Sequence, residues 1–187
     1  MSLKVSLKVL TIVRAVPDTA WTPKIADGGA AFDETGVRWI MNPYDEFAVE
    51  QAIRWKESGI ASAVTAIGVG PARVAEILRV ALAFGADDAI HLKTSAGVLD
   101  GIAMSRIVFD AIRGDAFDVI LCGKVSIDEG DSSVGPALAE FLGLPCVSAV
   151  RAIEIGADGG GLQCVRDGDF GEETLTAPIP VVVTCEK

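Results

Sequence analysis

A chain of 187 residues, half of them hydrophobic and 22% charged, is long enough to bury one good core and is expected to form a single domain over residues 1–187. Its net charge of −10, broken by no local cluster of Lys and Arg, excludes the attraction for a polyanion that nucleic-acid binding requires. No apolar run approaches the roughly 20 residues of a bilayer crossing and the N-terminus carries no cleavable signal pattern, so the expectation is a cytoplasmic protein with no membrane insertion.

Twenty glycines, few aromatics and repeated runs of Val, Ile, Leu and Ala suit buried parallel strands alternating with helices. Lys8 to Val16 is a first strand, closed by Pro17-Asp18, and Thr19 to Trp39 is a polar, Gly-containing excursion. Asn42-Pro43-Tyr44-Asp45 reads as a helix start, with Asn42 as cap, Pro43 in the first helical position and Asp45 and Glu46 in the first turn. Ala48, Val49, Ala52 and Ile53 then share one face until Ser58-Gly59.

Ala61 to Val69 is a second strand, and Gly70-Pro71 opens a helix whose apolar face carries Val74, Ile77, Leu78, Ala81 and Leu82 up to Gly85. Ala89 to Leu92 is a third strand, Leu99 to Arg113 a third helix and Asp118 to Gly123 a fourth strand. A fourth helix runs from about Ser132 to Leu142, followed by strands at Val147–Ile155, Gln163–Arg166, Glu172–Thr176 and Pro180–Thr184 with a more antiparallel flavour. Strands separated by helices need crossovers, so the expected fold is α/β, a doubly wound, mostly parallel, Rossmann-like sheet with a few antiparallel strands toward the C-terminus.

Ligands of such sheets bind beyond the carboxyl ends of the strands. Three loops qualify: Val13 to Val16, Gly68 to Pro71, and Gly123 to Gly135. The last is the richest, with Lys124, the hydroxyls of Ser132 and Ser133, and backbone N–H groups at Val134 and Gly135 opening a helix toward a phosphate. It is not a Walker A loop, because the lysine precedes the loop. Asp128, Glu129 and Asp131 argue for the alternative of a solvated acidic turn, since carboxylates repel phosphate unless they face ribose, cap a helix or point to water. Arg14 either meets a phosphate or flavin or pairs with a neighbouring acid, and the Asn42 to Asp45 box is explained as a helix cap with or without a ligand contact.

Cysteines 122, 146, 164 and 185 show no CxxC spacing and have only His91 to join them, which gives no zinc pattern. Cys122 and Cys185 close apolar runs and read as small buried hydrophobes, and His91 as a structural residue at a strand end. Trp39 and Trp55 read as core or interface, and Trp21, in the excursion, could anchor a partner. No nucleophile stands beside a base, so no catalytic residue is assigned.

Taken in order, Lys8-Val9-Leu10 with Val16-Pro17-Asp18, the box Met41 to Glu46 with Ala48-Val49-Glu50, Gly70-Pro71-Ala72, Arg79 with Ala81-Leu82, Gly85-Ala86-Asp87, and Gly123-Lys124 with Ile127-Asp128 resemble the electron transfer flavoprotein beta subunit family. The resemblance covers nearly the whole chain. It implies a fold of the adenine nucleotide alpha hydrolase-like kind and a heterodimer with an alpha subunit carrying most of the electron-transferring FAD, which takes electrons from a flavoprotein dehydrogenase and passes them to an acceptor. It also implies a nucleotide in the beta subunit itself, AMP in the common branch and a second FAD in the bifurcating one. Gly130-Asp131 and Val134-Gly135-Pro136 resemble the bifurcating branch, although Ser133 stands where that branch usually has glutamine.

The positions that match the family's nucleotide site are Ile12, Asn42, Pro43, Tyr44, Asp45 and Val69, with Arg14 and Gly70 beside them. In the long loop they are Lys124, Val125, Ser126, Ile127, Asp128, Glu129, Gly130, Asp131, Ser132, Ser133, Val134 and Gly135. Several would act through backbone groups. The family continues into an Asn-Glu-Pro-Arg-Tyr segment and a C-terminal arm that docks the partner, whereas this sequence stops at Lys187. The second reading is a stand-alone adenine-nucleotide-binding or sensing domain of the same fold, and a third places Lys124 and the Asp128 to Asp131 carboxylates around a metal-bound phosphate.

Overall fold

The near-continuous apolar run that opens the sequence is buried on both faces, as expected of a central parallel strand. In the computed structural model, which describes residues 6–29, 31–95, 99–156 and 159–187, this run is β1 (Leu7–Ile12). Val9 and Val13 point into one core while Leu10 and Ile12 point into a second on the other side of the sheet. The predicted first strand breaks after Ile12: Val13 and Arg14 form a bend, and Ala15–Pro17 is a separate short strand, β2, paired antiparallel with β3 (Trp39–Met41). Between these two runs the excursion, carrying an isolated antiparallel bridge from Ile25 to Phe32.

α1 (Pro43–Glu57), β4 (Ala61–Gly70), α2 (Val74–Phe84), β5 (Asp88–Lys93), α3 (Gly101–Ile112), β6 (Val119–Gly123) and α4 (Val134–Leu142) follow in strict alternation. β7 (Cys146–Ile155), β8 (Gly161–Gly168), β9 (Gly171–Pro178) and β10 (Val181–Cys185) complete the order. The sheet reads β5-β4-β1-β6-β10-β7-β8-β9. α1 and α2 cover one face through Ala48, Val49, Ala52, Trp55, Ile77 and Leu78. α3 and α4 cover the other through Val108, Ile112, Leu138 and Ala139. The doubly wound α/β expectation is therefore met.

The C-terminal strands divide more sharply than the sequence suggests. β7 and β10 belong to the parallel sheet, β10 lying between β6 and β7, and β8 and β9 alone form an antiparallel extension. Three consecutive valines (Val181 to Val183), wholly buried, match the two-sided burial of a central parallel strand. The sequence shows that run but not its neighbours. Among the described residues, no helix is long and apolar enough to cross a membrane.

The Gly85-Ala86-Asp87 turn has a structural task. Asp87 Oδ2 accepts from the Val64 N–H (2.9 Å) and Oδ1 from Lys56 Nζ (2.5 Å), joining the ends of α1 and α2 to β4. Cys122 and Cys185 are buried free thiols, and burial pushes Cys185 up to about 12, so both are core residues of adjacent strands. Trp55 is buried in the core; Trp39 lies beneath the Arg73 guanidinium, 3.7 Å from the ring centroid. His91 Nε2 sits 3.0 Å from the Gly70 carbonyl oxygen on the neighbouring strand.

Candidate functional site

β1 and β6 are adjacent, and strand order reverses about them: β4 and β5 follow β1 outward on one side, β6, β10 and β7 lie on the other. Their carboxyl ends, Ile12 and Gly123, thus flank the topological switch point of the sheet, where open α/β sheets take ligands. One carboxylate organises this edge. Asp45, in the first turn of α1 and 0% exposed, accepts from the Arg14 backbone N–H (2.9 Å) and Nε (3.1 Å) on Oδ2. On Oδ1 it accepts from Arg14 Nη2 (2.8 Å) and the Gly123 backbone N–H (3.0 Å). Four donors satisfy a buried charge that would otherwise be untenable.

The pair meets one of the two readings of Arg14: its side chain, 8% exposed, is held by a neighbouring acid. Burial, the largest single influence, works against its charge, but the attraction and hydrogen bonding of Asp45, with smaller help from Cys122 and Asp128, together outweigh it, so its pKa rises. Gly123 is required here by close approach, because a Cβ would lie 2.4 Å from Asp45 Oδ1 and 2.6 Å from the Tyr44 backbone.

Asn42 performs a different task from the one expected. It occupies the N-cap of α1, and its backbone carbonyl accepts from Asp45 and Glu46, but its side chain makes no capping hydrogen bond. Instead Nδ2 donates to the Val125 carbonyl (2.9 Å) and Oδ1 accepts from the Ile127 N–H (3.3 Å). The amide, fully buried, thereby fixes the loop after β6 from 83 and 85 residues away. Its own N–H donates to the Arg14 carbonyl (3.0 Å). Pro43 takes the first helical position, as predicted, and the Tyr44 ring turns toward Phe47 and beneath Lys124.

The loop itself is internally bonded. The Ser126 hydroxyl meets the Asp128 carboxylate, Glu129 N–H donates to Asp128 Oδ1 (3.0 Å), and Gly130 N–H donates to the Ser126 carbonyl (3.0 Å) with Gly130 left-handed at φ +67°. Asp131 turns to the helix starts: Oδ1 accepts from the Ser133 N–H (2.7 Å), and Oδ2 from the Ser133 hydroxyl (2.8 Å) and the Gly101 N–H of α3 (3.1 Å). The Ser133 hydrogen bond leads in holding the Asp131 carboxyl below its ordinary range. Glu129 moves the other way, raised first by burial and then by Asp128 and Asp131. Lys124 Nζ is paired with Glu186 and lies 5.5 Å from the Tyr44 centroid.

Two of the three acidic side chains, Asp128 and Asp131, are therefore held separately by serine hydroxyls and backbone N–H groups. The helix entry fits an anion. Ser133 is the N-cap of α4, Pro136 has no N–H, and Ala137 N–H already bonds the Ser133 carbonyl, which leaves the first-turn N–H groups of Val134 and Gly135 without an intrahelical acceptor. Ile12 and Val69 are buried side chains at strand ends, so only their backbones can reach a ligand, and Gly70 beside Val69 has φ +143°. Val69 and Gly70 reach this cluster through strand pairing, Ile12 standing opposite Ile67 on β4, and by no side-chain bond to the long loop.

Among the described residues, grooves open at the surface in two places that bear on the choice of site. One, of about 480 Å³, is lined by the predicted residues Lys124, Val125 and Ser132 together with Ser148, Ala149 and Thr184, which sequence reading did not single out. Ala149 is left-handed at φ +58°, its N–H donating to Thr184 Oγ1 (2.9 Å). No residue type marks this irregularity within β7; the groove follows from β10 standing between β6 and β7. The larger groove, about 630 Å³, lies in the excursion among Asp18, Trp21, Thr22, Lys24 and Arg38 and contains none of the predicted site residues. It is flanked by the exposed Phe32, against whose ring Trp21 stands edge-on at 6.4 Å, and the convergence of the switch-point residues makes the β6 edge the better candidate.

A family model described as an electron transfer flavoprotein domain matches residues 29–187. The electron transfer flavoprotein subunit beta of Syntrophomonas wolfei is 36% identical over 181 residues, covering 97% of this chain and 70% of that protein. That of Bacillus subtilis is 36% identical over 168 residues (89% of this chain, 62% of that protein), and that of Homo sapiens 34% over 183 residues (96% and 71%). The chain thus spans between 62% and 71% of the length of these relatives.

Proposed function

The chain belongs to the electron transfer flavoprotein family, and we propose that it acts as a beta-type subunit. In this role it binds an adenine nucleotide, AMP or FAD, at the switch point and pairs with a FAD-carrying alpha subunit. The pair passes electrons from a flavoprotein dehydrogenase to an acceptor. The observation that carries the nucleotide reading is the joining of three sequence-distant loops by two buried side chains, Asp45 and Asn42, at the carboxyl edge of β1 and β6.

The roles divide by chemistry. The N–H groups of Val134 and Gly135 and the hydroxyl of Ser132 hold a phosphate at the start of α4. Backbone groups of Ile12, Asn42 to Asp45 and Val69, and of the loop from Lys124 to Gly130, shape the pocket for the nucleoside. Asp45 and Asn42 keep those backbones in place. When bound, flavin supplies the electron-transfer chemistry, and the protein supplies binding and orientation, without an acid or base of its own.

Heat denaturation of the purified chain, followed by mass spectrometry and absorbance of what is released, tests the reading. AMP supports the common branch and FAD the bifurcating one. Release of neither, together with no uptake of AMP or FAD added to the chain, overturns nucleotide binding.

A further inference from the structure

The loop that enters α4 is gripped from the side by another helix. Gly101, the first residue of α3, sits so close to it that a Cβ would lie 2.1 Å from Ser133 Oγ and 2.6 Å from Asp131 Oδ2. Ser105, buried on the next turn of α3, places its hydroxyl 2.6 Å from the Gly101 carbonyl and 2.8 Å from that of Val134. α3 already has its own cap, Asp100 Oδ1 accepting from the Ala103 N–H at 2.7 Å. Asp131 is a second carboxylate at this start, shared between the N-termini of α3 and α4 through Gly101 N–H, Ser133 N–H and the Ser133 hydroxyl.

Near a phosphate a carboxylate is costly unless its charge is occupied elsewhere. Here two helix N-termini and three donors occupy it. The same bonds fix the Ser132-Ser133 turn, and through it the direction of the N–H groups of Val134 and Gly135. We propose that Asp131 is a positioning residue: it does not touch the nucleotide but aims the first-turn N–H groups of α4 at the nucleotide's phosphate, using the start of α3 as its anchor. This rests on the nucleotide reading above, and it makes a distinction within it, because Asp131 then matters for the phosphate and not for the nucleoside.

The test is calorimetric titration of the 187-residue chain with AMP and with adenosine, for the wild type, Asp131→Ala and Asp131→Asn, with melting temperatures measured alongside. In Asp131→Ala the affinity for AMP is expected to fall on the order of tenfold, as for a few lost hydrogen bonds, while adenosine changes by less than about twofold. Asp131→Asn keeps an acceptor for the Gly101 N–H and recovers part of the loss. If Asp131→Ala does not fold, the AMP-to-adenosine ratio in Asp131→Asn decides alone. Equal losses for both ligands would reduce Asp131 to general stability and overturn the proposal, as would a gain in AMP affinity, which would mean that the carboxylate faces the phosphate. A wild-type chain that binds neither ligand overturns this inference, and one that also takes up no FAD removes the nucleotide reading with it.

Discussion

Two places in this protein use the same chemistry, an arginine against carboxylates, to opposite effect. At the carboxyl edge of the parallel sheet, Arg14 and Asp45 are 8% and 0% exposed and bind β1, α1 and β6 together. On the antiparallel extension and across its seam with β7, Arg151 of β7 reaches Asp167 (3.1 Å) and Glu172 (2.8 Å), and Arg166 reaches Glu173 (2.8 Å), with every partner a third or more exposed. Exposed pairs are screened and contribute little, whereas a buried pair, whatever its net value against an apolar replacement, is severely damaged by loss of one member. The difference assigns the first pair to site architecture and the second to the solubility and twist of a sheet edge.

The largest effect that separates the two regions is expected from Asp45→Ala. It leaves the Arg14 guanidinium buried without a counter-charge and the Gly123 N–H without an acceptor, at a cost of about 3–5 kcal/mol in urea denaturation. A loss below about 1 kcal/mol would place the buried pair with the exposed ones and break the comparison. Arg166→Ala on the extension should cost less than about 1 kcal/mol, and a double-mutant cycle with Glu173→Ala should show a coupling that fades with added salt. A coupling that resists salt would mean that the extension is dry, as at an interface.

The smallest effect concerns Glu129, where loop and site meet. Burial, with Asp128 and Asp131, raises its carboxyl in the folded chain. The stability contributed by a raised carboxyl is complete below the ordinary glutamate value of 4.5 and disappears as pH rises through the folded value, so at neutral pH the charge works against folding. Glu129→Gln should therefore stabilise the chain at pH 7, by a few tenths of a kcal/mol after allowance for solvent screening, and leave it unchanged below about pH 4. Melting curves across this range check the sign. Equal gains at both ends would point to a cause other than charge.

What could be read from the sequence depended on whether partners were local. The start of α1 was legible because Pro43 and the acidic residues of the first turn act within one turn of chain. The task of Asn42 was not, because Val125 and Ile127 become its partners only when β6 lies beside β1. Likewise the acid that pairs with Arg14 was not legible until the first turn of α1 delivered Asp45 to it. The loop from Gly123 to Gly135 stood out by composition, yet its acidic residues looked like a single negative cluster. Serine hydroxyls and helix starts divide them, and a carboxylate's direction is not written in its neighbours' names. Ser148, Ala149 and Thr184 were missed because the sequence did not say which of the C-terminal strands join the parallel sheet, and the left-handed residue Ala149 within β7 is no glycine that would announce it.

The position of β10 has a consequence in time. Val181 to Cys185 pair with β6 on one side and β7 on the other, although α4, β7, β8 and β9 all precede them in the chain. As the polypeptide leaves the ribosome, the strands up to β6 can assemble on α1 to α4, but β6 keeps an open edge and β7 has no neighbour on its parallel side until those five residues emerge. Such a nascent chain displays two unpaired hydrophobic edges at once, a template for pairing with other chains. The step that closes them spans about sixty residues from β6, a long-range closure that is slow compared with helix formation. Chaperone engagement, ribosome profiling and truncation series should all register residues 181 to 185 as the point at which this sheet becomes whole.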